Sequence, residues 1–151
     1  MKFSTKARYG LRLMVELAVN YQADEPVPLS EIAQRQDLSE GYLEQLITAL
    51  RKADLVRSVR GARGGYLLTR TPDQITAGDV IRALEGSISP TDCVREDCPE
   101  PCQRADICVT RDFWERLKNA MTEVLDTTSL EDLRQEAERI KKEHEPLVYY
   151  I

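Results

Sequence analysis

One histidine, His144, is all that this chain has. It stands among Lys141, Lys142, Glu143 and Glu145 and reads as a solvated surface residue. Without a second histidine, Ser–His or Cys–His nucleophilic catalysis has almost no material. The scattered carboxylates read as solvated helix faces rather than an acid–base pair, so an enzyme is not expected. No apolar run is long enough to span a bilayer. A signal-peptide pattern is missing too, because Lys6, Arg8 and Arg12 interrupt the first apolar residues. A cytoplasmic protein is expected. There are no internal repeats and no low-complexity segments, and 151 residues suit one domain, or one domain with an appendage.

A net charge of −5 argues at first against a polyanionic partner, but its distribution reverses that. Residues 1–71 carry 11 lysines and arginines against 8 acids, a balance of +3; residues 72–151 carry 10 against 18, a balance of −8. Affinity for phosphate follows the local cluster rather than the total.

That cluster lies in Leu38 to Arg70. Ser39 is a suitable N-cap. Tyr42, Leu43, Leu46, Ile47 and Leu50 recur at helical spacing and predict a buried face. The opposite face offers Glu40, Glu44, Gln45, Thr48 and Arg51. Ala53-Asp54 ends the helix, Leu55–Val59 reads as a strand, and Tyr66–Arg70 reads as its return. Between them Arg60-Gly61-Ala62-Arg63-Gly64-Gly65 is a flexible basic tip, whose glycines would let its backbone approach a ligand closely. The polar helix face alone is no better than that of any surface helix in a bundle. The hairpin decides, because Arg57, Arg60, Arg63 and Arg70 concentrate charge where a wing would meet a DNA backbone. Gln45 can pair with adenine and Glu44 can accept from cytosine. The candidate DNA contacts are Ser39, Glu40, Tyr42, Glu44, Gln45, Arg51, Arg57, Arg60, Arg63 and Gly64.

Upstream, Ser4 or Thr5 can cap a helix running to about Tyr21, with Leu11, Met14, Ala18 and Tyr21 on one stripe and Leu13 and Leu17 beside it. Ser30 is the expected cap of a short helix over Glu31–Gln36, and Asp37-Leu38-Ser39 makes the turn of a helix-turn-helix. Downstream, Thr71-Pro72-Asp73 is a stop. Thr76 and Asp79 have capping-box spacing for a helix that Gly86 ends. Ser87–Thr110 has little periodicity and three prolines. Thr110 is the expected cap of a helix from Arg111 to about Leu125, whose broad apolar face suits its own domain and a partner at once. Ser129 caps a last helix with Leu133, Ala137 and Ile140 inward. Leu147–Ile151 is an apolar tail.

All four cysteines fall within sixteen residues, as Cys93-x4-Cys98-x3-Cys102-x5-Cys108. The spacing matches neither the usual zinc pairs nor ferredoxin runs. Clustered thiols in a reducing compartment still point to a soft-ligand metal site formed by Cys93, Cys98, Cys102 and Cys108, with redox-sensing thiols lacking metal as the alternative. A small electron carrier would have no use for a basic wing.

Taken together, these residues resemble the IscR-type family of winged-helix regulators, also called the Rrf-two family, to about Leu133. Ser4–Tyr9 resembles the family's opening, Ser39–Leu46 its recognition helix and Val59–Leu67 its wing. Cys102-x5-Cys108-Val109-Thr110-Arg111, with Trp114 following, resembles its cluster loop running into a dimerisation helix. The resemblance implies a mainly α fold: a winged helix-turn-helix over 1–86 with a two-stranded β wing, a cysteine-rich loop over 87–110, and a long C-terminal dimerisation helix and tail over 111–151. It implies a homodimer, joined through Phe113, Trp114, Leu117, Met121 and Val124, on a palindromic operator in double-stranded DNA. Repression and activation both stay open. It also implies an iron–sulfur cluster, 2Fe–2S favoured over 4Fe–4S, held by Cys93, Cys102 and Cys108, and control of cluster-assembly genes. Two positions depart from the pattern. Arg111 stands where IscR places a histidine, and Arg8 stands where redox-sensing relatives offer a partner-chain carboxylate. Cys98 or a nearby oxygen would then complete the shell. The alternative is a regulator of the same fold with no cluster, answering to thiol redox state or to a partner protein.

Overall fold

The structure, a computed structural model, describes residues 2–21, 25–98 and 100–145; the expected apolar tail, Leu147–Ile151, lies outside them. Local capping sets most helix starts. Ser4 Oγ accepts from the Ala7 amide and opens α1, Thr5–Val19. Its buried stripe is Ala7, Gly10, Leu13, Met14, Leu17 and Ala18, so Leu11 and Tyr21 lie at the margin rather than the centre of the predicted face. The next helix, α2 (Leu29–Gln36), starts earlier than Ser30 would have it. Pro28 holds the cap position with φ −62°, already helical in that angle, and makes no side-chain bond. Asp37, in the left-handed region at φ 53°, turns the chain, and Ser39 Oγ then accepts from the Tyr42 amide at 3.2 Å to open α3, Glu40–Lys52. Leu43, Leu46, Ile47 and Leu50 are buried; Tyr42 is only half-buried.

Strands β1 (Val56–Val59) and β2 (Gly65–Leu68) pair antiparallel, Val56 opposite Leu68 and Val59 opposite Gly65. The returning strand thus ends two residues before the expected Arg70. Val27 extends the hairpin by exchanging two backbone bonds with Tyr66, of 3.0 and 2.9 Å. A Cβ on Gly65 would stand 2.4 Å from the Val27 carbonyl, so this third segment requires glycine there.

A full capping box between Thr76 and Asp79 opens α4, Ala77–Glu85, and Gly86 at φ 83° ends it. Beyond the loop, α5 spans Arg111–Thr127, two residues longer than predicted, and no residue of it is buried. Ser129 and Asp132 form a second capping box for α6, Leu130–His144.

The core runs through α1, α2, α3, the hairpin and α4, and it includes Leu130 of α6 at 0% exposure. Burying a leucine to that degree stabilises by ~1.5–3 kcal/mol and pins α6 onto the DNA-binding head. Leu133 and Ala137 are half-buried as expected, whereas Ile140, one turn further along, is 45% exposed because α6 has by then run past its support. Between α5 and α6 the chain is stitched to the head: the Ala77 amide donates to Thr128 and the Leu130 amide to Ile75, both at 2.8 Å. Just before that stitch Asp126 crosses over Gly78, where a Cβ would come within 2.1 Å of its Oδ1.

Candidate nucleic-acid interface and cysteine loop

With one face of α3 in the core, its other face is left to solvent. Glu40, Glu44, Gln45, Thr48 and Arg51 are all exposed there, and the helix N-terminus carries Ser39 at its cap. Thr48 Oγ1 is bonded back to the Glu44 carbonyl at 2.8 Å, which leaves Glu44, Gln45 and Arg51 as the long reaching side chains. Tyr42 is placed differently from these. Its ring meets Tyr9 edge-on at 6.0 Å and its hydroxyl is buried with no partner, so it faces α1 rather than the outer surface.

Arg57, Arg60 and Arg63 stand exposed on the wing. Gly61 at φ 117° makes the tip turn, and the Gly64 amide closes it on the Gly61 carbonyl at 3.0 Å. A Cβ on Gly64 would lie 2.4 Å from the Val59 carbonyl oxygen. The wing glycines therefore answer first to the hairpin's own tight turn. Open backbone for a ligand, the reason taken from the sequence, is at most a second use. The arrangement presents a polar helix face with exposed cationic side chains on a hairpin beside it, as duplex DNA requires.

The four cysteines share the loop, all as free thiols, but the structure does not gather them. Among the described residues no three His, Cys, Asp or Glu side chains stand close enough to hold a metal ion. Each thiol with a bond makes it locally: Cys93 with the Thr91 hydroxyl at 3.2 Å, Cys98 donating to the Glu100 carbonyl at 3.2 Å, and Cys108 with the Thr110 hydroxyl at 3.3 Å. Cys102 is exposed. Arg111, at the position of the missing histidine, pairs with Glu115 at 3.3 Å. His144 lies at the far end of α6 with its ring nitrogen on the Ile140 carbonyl. In this arrangement the donor set does not fit an iron–sulfur cluster.

What the loop does have is one distinctive thiol. The Thr110 hydroxyl, the backbone N–H groups of Thr110 and Arg111, and the nearby Arg104 guanidinium hold Cys108 below the usual thiol range. Thr110 therefore serves Cys108 and does not cap α5 with its side chain, as its position had suggested. The loop is anchored by Val94, 4% exposed and packed against α5. In the sequence its signal is that it is the one branched aliphatic side chain in the charged stretch from Cys93 to Asp106.

Along α5 the expected interface residues form an outward apolar stripe. Phe113 is 54% and Val124 64% exposed, Trp114 stacks edge-on against Phe113 at 4.9 Å, and Leu117 and Met121 are half-buried. Phe3, Ala120, Met121, Val124 and Leu125 line a hollow of about 360 Å³ whose walls are all apolar.

A family model described as "Rrf2: Iron-dependent Transcriptional regulator" matches residues 3–136. The chain is 49% identical to the HTH-type transcriptional regulator CymR of Bacillus subtilis (strain 168), over all of both sequences. The solved structure of CymR (YrzC), the global cysteine regulator of B. subtilis, superposes with a TM-score of 0.73 and 52% identity, covering 90% of this chain and 98% of that one. T. potens IscR gives 0.74 and 45%, covering 93% and 91%. The oxidized form of Staphylococcus aureus CymR gives 0.69 and 42%, covering 89% and 96%.

Proposed function

The chain belongs to the Rrf2 family of transcriptional regulators, and on that premise we propose that it is a regulator without a cluster whose hold on DNA follows the redox state of its loop thiols. That it is a DNA-binding transcriptional regulator and not an enzyme follows from the family itself. The finer reading is carried by one observation: four thiols stand free in one loop without converging on a metal site, and Cys108 among them is held toward its thiolate. A likeness to CymR over the whole chain supports it, as does the existence of an oxidized form of the S. aureus relative.

The chemistry is that of a sensor thiol. The Cys108 thiolate attacks a peroxide O–O bond, giving a sulfenic acid and hydroxide. A second loop thiol then condenses with the sulfenic acid, forming a disulfide and releasing water. Two thiols have lost two electrons and one peroxide has become two waters. Because Cys108 is three residues from the start of α5, a disulfide there would reshape the end of the helix whose other end is stitched to the head. Two copies joined along the apolar stripe of α5 would then present their recognition helices to half-sites about one turn, roughly 34 Å, apart.

The test is anaerobic isolation, followed by iron, sulfide and free-thiol analysis and then operator binding before and after one equivalent of peroxide. A colourless protein with four thiols, two of them lost on oxidation together with a change in operator affinity, is the expected result. A brown protein with stoichiometric iron and sulfide would instead favour the cluster reading, which rests on the thiol count and the likeness to IscR.

A further inference from the structure

Helix α2 has few apolar side chains to hold it. Of its eight residues only Ile32 and Ala33 are buried, and Leu29 packs partly against the core. So short a helix takes its stability and its orientation from its neighbours. Contact through two small buried patches leaves it room to rock about them. Only Asp37, Leu38 and Ser39 separate its last residue from the first of α3. A tilt of α2 is therefore passed on to α3, with almost no chain between them to absorb it.

A polar cluster at the C-terminal end of α2 supplies what the apolar contacts lack. Its centre is Glu16 of α1, whose side chain is only 15% exposed. Glu16 Oε1 accepts from Arg35 Nη1 at 2.7 Å and from Asn20 Nδ2 at 3.2 Å, and Oε2 accepts from Gln36 Nε2 at 3.1 Å. Gln36 Oε1 in turn accepts from Arg12 Nε at 2.8 Å. These two neighbours fix which way round the Gln36 amide lies, since a guanidinium only donates and a carboxylate only accepts. Arg35 is held further by Asn20 Oδ1 at 3.2 Å and Glu31 Oε2 at 3.3 Å. The last two residues of α2 are thus tied to one carboxylate on α1. Charged hydrogen bonds are directional, so they specify an angle where apolar contact does not.

We propose that Glu16 is a positioning residue for DNA recognition: through Arg35 and Gln36 it sets the aim of α3 without itself touching DNA. The inference rests on α3 being the helix that reads bases. Both Glu16 oxygens are engaged inside the fold, and a carboxylate would in any case be repelled by phosphate. Its partner Arg35 is 46% exposed, so the ion pair adds little to stability. What the cluster contributes is the direction in which Glu44, Gln45 and Arg51 point.

The test is a double-mutant cycle in the full chain under reducing conditions. Glu16→Gln sets an amide donor against the Gln36 donor, and Gln36→Glu sets a carboxylate against that of Glu16, so each breaks the link. The swap Glu16→Gln/Gln36→Glu rebuilds it with donor and acceptor reversed, and it leaves an acceptor for Arg12 and another for Arg35. The probes are a duplex that the parent protein selects from a randomised pool and the same base pairs shuffled. Each single variant should lose about fivefold or more on the selected duplex, the worth of one base contact, and nothing on the shuffled one. The swap should recover the parent's preference. Without DNA, hydrogen exchange at the Leu38 amide, bonded to the Ala33 carbonyl at 3.0 Å, should quicken in the single variants and slow again in the swap. Equal losses on both duplexes, single variants that match the parent, or a swap that recovers nothing would overturn the proposal. The amide rates are read without DNA and the thiols play no part in them, so a failure of this clamp is told apart from a failure of the regulatory reading.

Discussion

Arg82 and Asp126 join α4 to α5 through two parallel hydrogen bonds, Nη1–Oδ1 at 2.7 Å and Nη2–Oδ2 at 2.9 Å. Both side chains are around 40% exposed (39% and 42%), so the pair itself is worth little, about 0–1 kcal/mol. Its importance is geometric. The two groups meet above Gly78, and a methyl there would collide with Asp126 Oδ1 at 2.1 Å and Arg82 Nη1 at 2.7 Å. Gly78→Ala should push these two flexible side chain ends apart and cost no more than their pairing is worth, about 0–1 kcal/mol. Gly41→Ala, where nothing lies within 4 Å of the new methyl, should be neutral or stabilising by up to about 1 kcal/mol. Paired thermal melts check both.

The wing arginines should carry salt dependence, and the recognition helix sequence preference. The double variant Arg60→Ala/Arg63→Ala should weaken binding to every duplex alike and reduce the slope of log K against log salt by about 2, if each arginine meets one phosphate. Gln45→Ala should instead relax the preference at a single base pair, by about 1–3 kcal/mol. Binding isotherms at several salt concentrations on a panel of operators separate the two effects.

Val124 tests the apolar stripe. Val124→Asp places a carboxylate at a position now 64% exposed, so the fold of one chain should be unaffected. In a two-fold interface the same change occurs twice, and each buried carboxylate should cost about 2 kcal/mol or more. Light scattering should report the parent as a dimer and the variant as a monomer at the same concentration.

Glu131 gives a prediction in pH. It accepts two bonds from Arg134, at 2.8 and 2.6 Å, and one from Gln135 at 2.9 Å, which together pull its carboxyl from 4.5 down to about 2. A carboxyl with a lowered native pKa stabilises the fold fully above its unfolded value and loses that contribution as the pH falls through the native one. The window therefore runs from about pH 4.5 down to about 2. With the side chain 26% exposed, screening holds the effect under about 1 kcal/mol. Glu131→Gln should flatten the acid limb of the stability curve in that window, measured by denaturant melts at stepped pH.

What the sequence made legible was whatever a few neighbouring residues decide. Ser39, Thr76 and Ser129 cap helices where their side chains say they should, because a cap needs only the next three amides. The hairpin and its arginines were legible for a similar reason. Thr110 shows the limit: it has the right side chain at the right place, but a thiol two residues earlier takes its hydroxyl. Leu130, the fully buried residue of α6, escaped attention because its burial depends on a chain that returns to α1 after a long excursion. The same holds for the cleft lined by Arg82, Glu96 and Lys118, whose walls come from the end of α4, the cysteine loop and α5. As for the cysteines, their number could be counted but their convergence could not, since spacing fixes how far apart thiols can be and not where a loop points them.

Val27 paired with Tyr66 has a mechanical consequence. A bare two-stranded ribbon would sway at its base, and any double helix meeting it would first have to still that sway. Here a third length of backbone holds the ribbon at Tyr66, one residue pair short of its turn, so the arginines near the tip ride on a stiff arm whose freedom was already given up when the chain folded. Loosening that brace should slow the capture of an operator without removing a single contact to it.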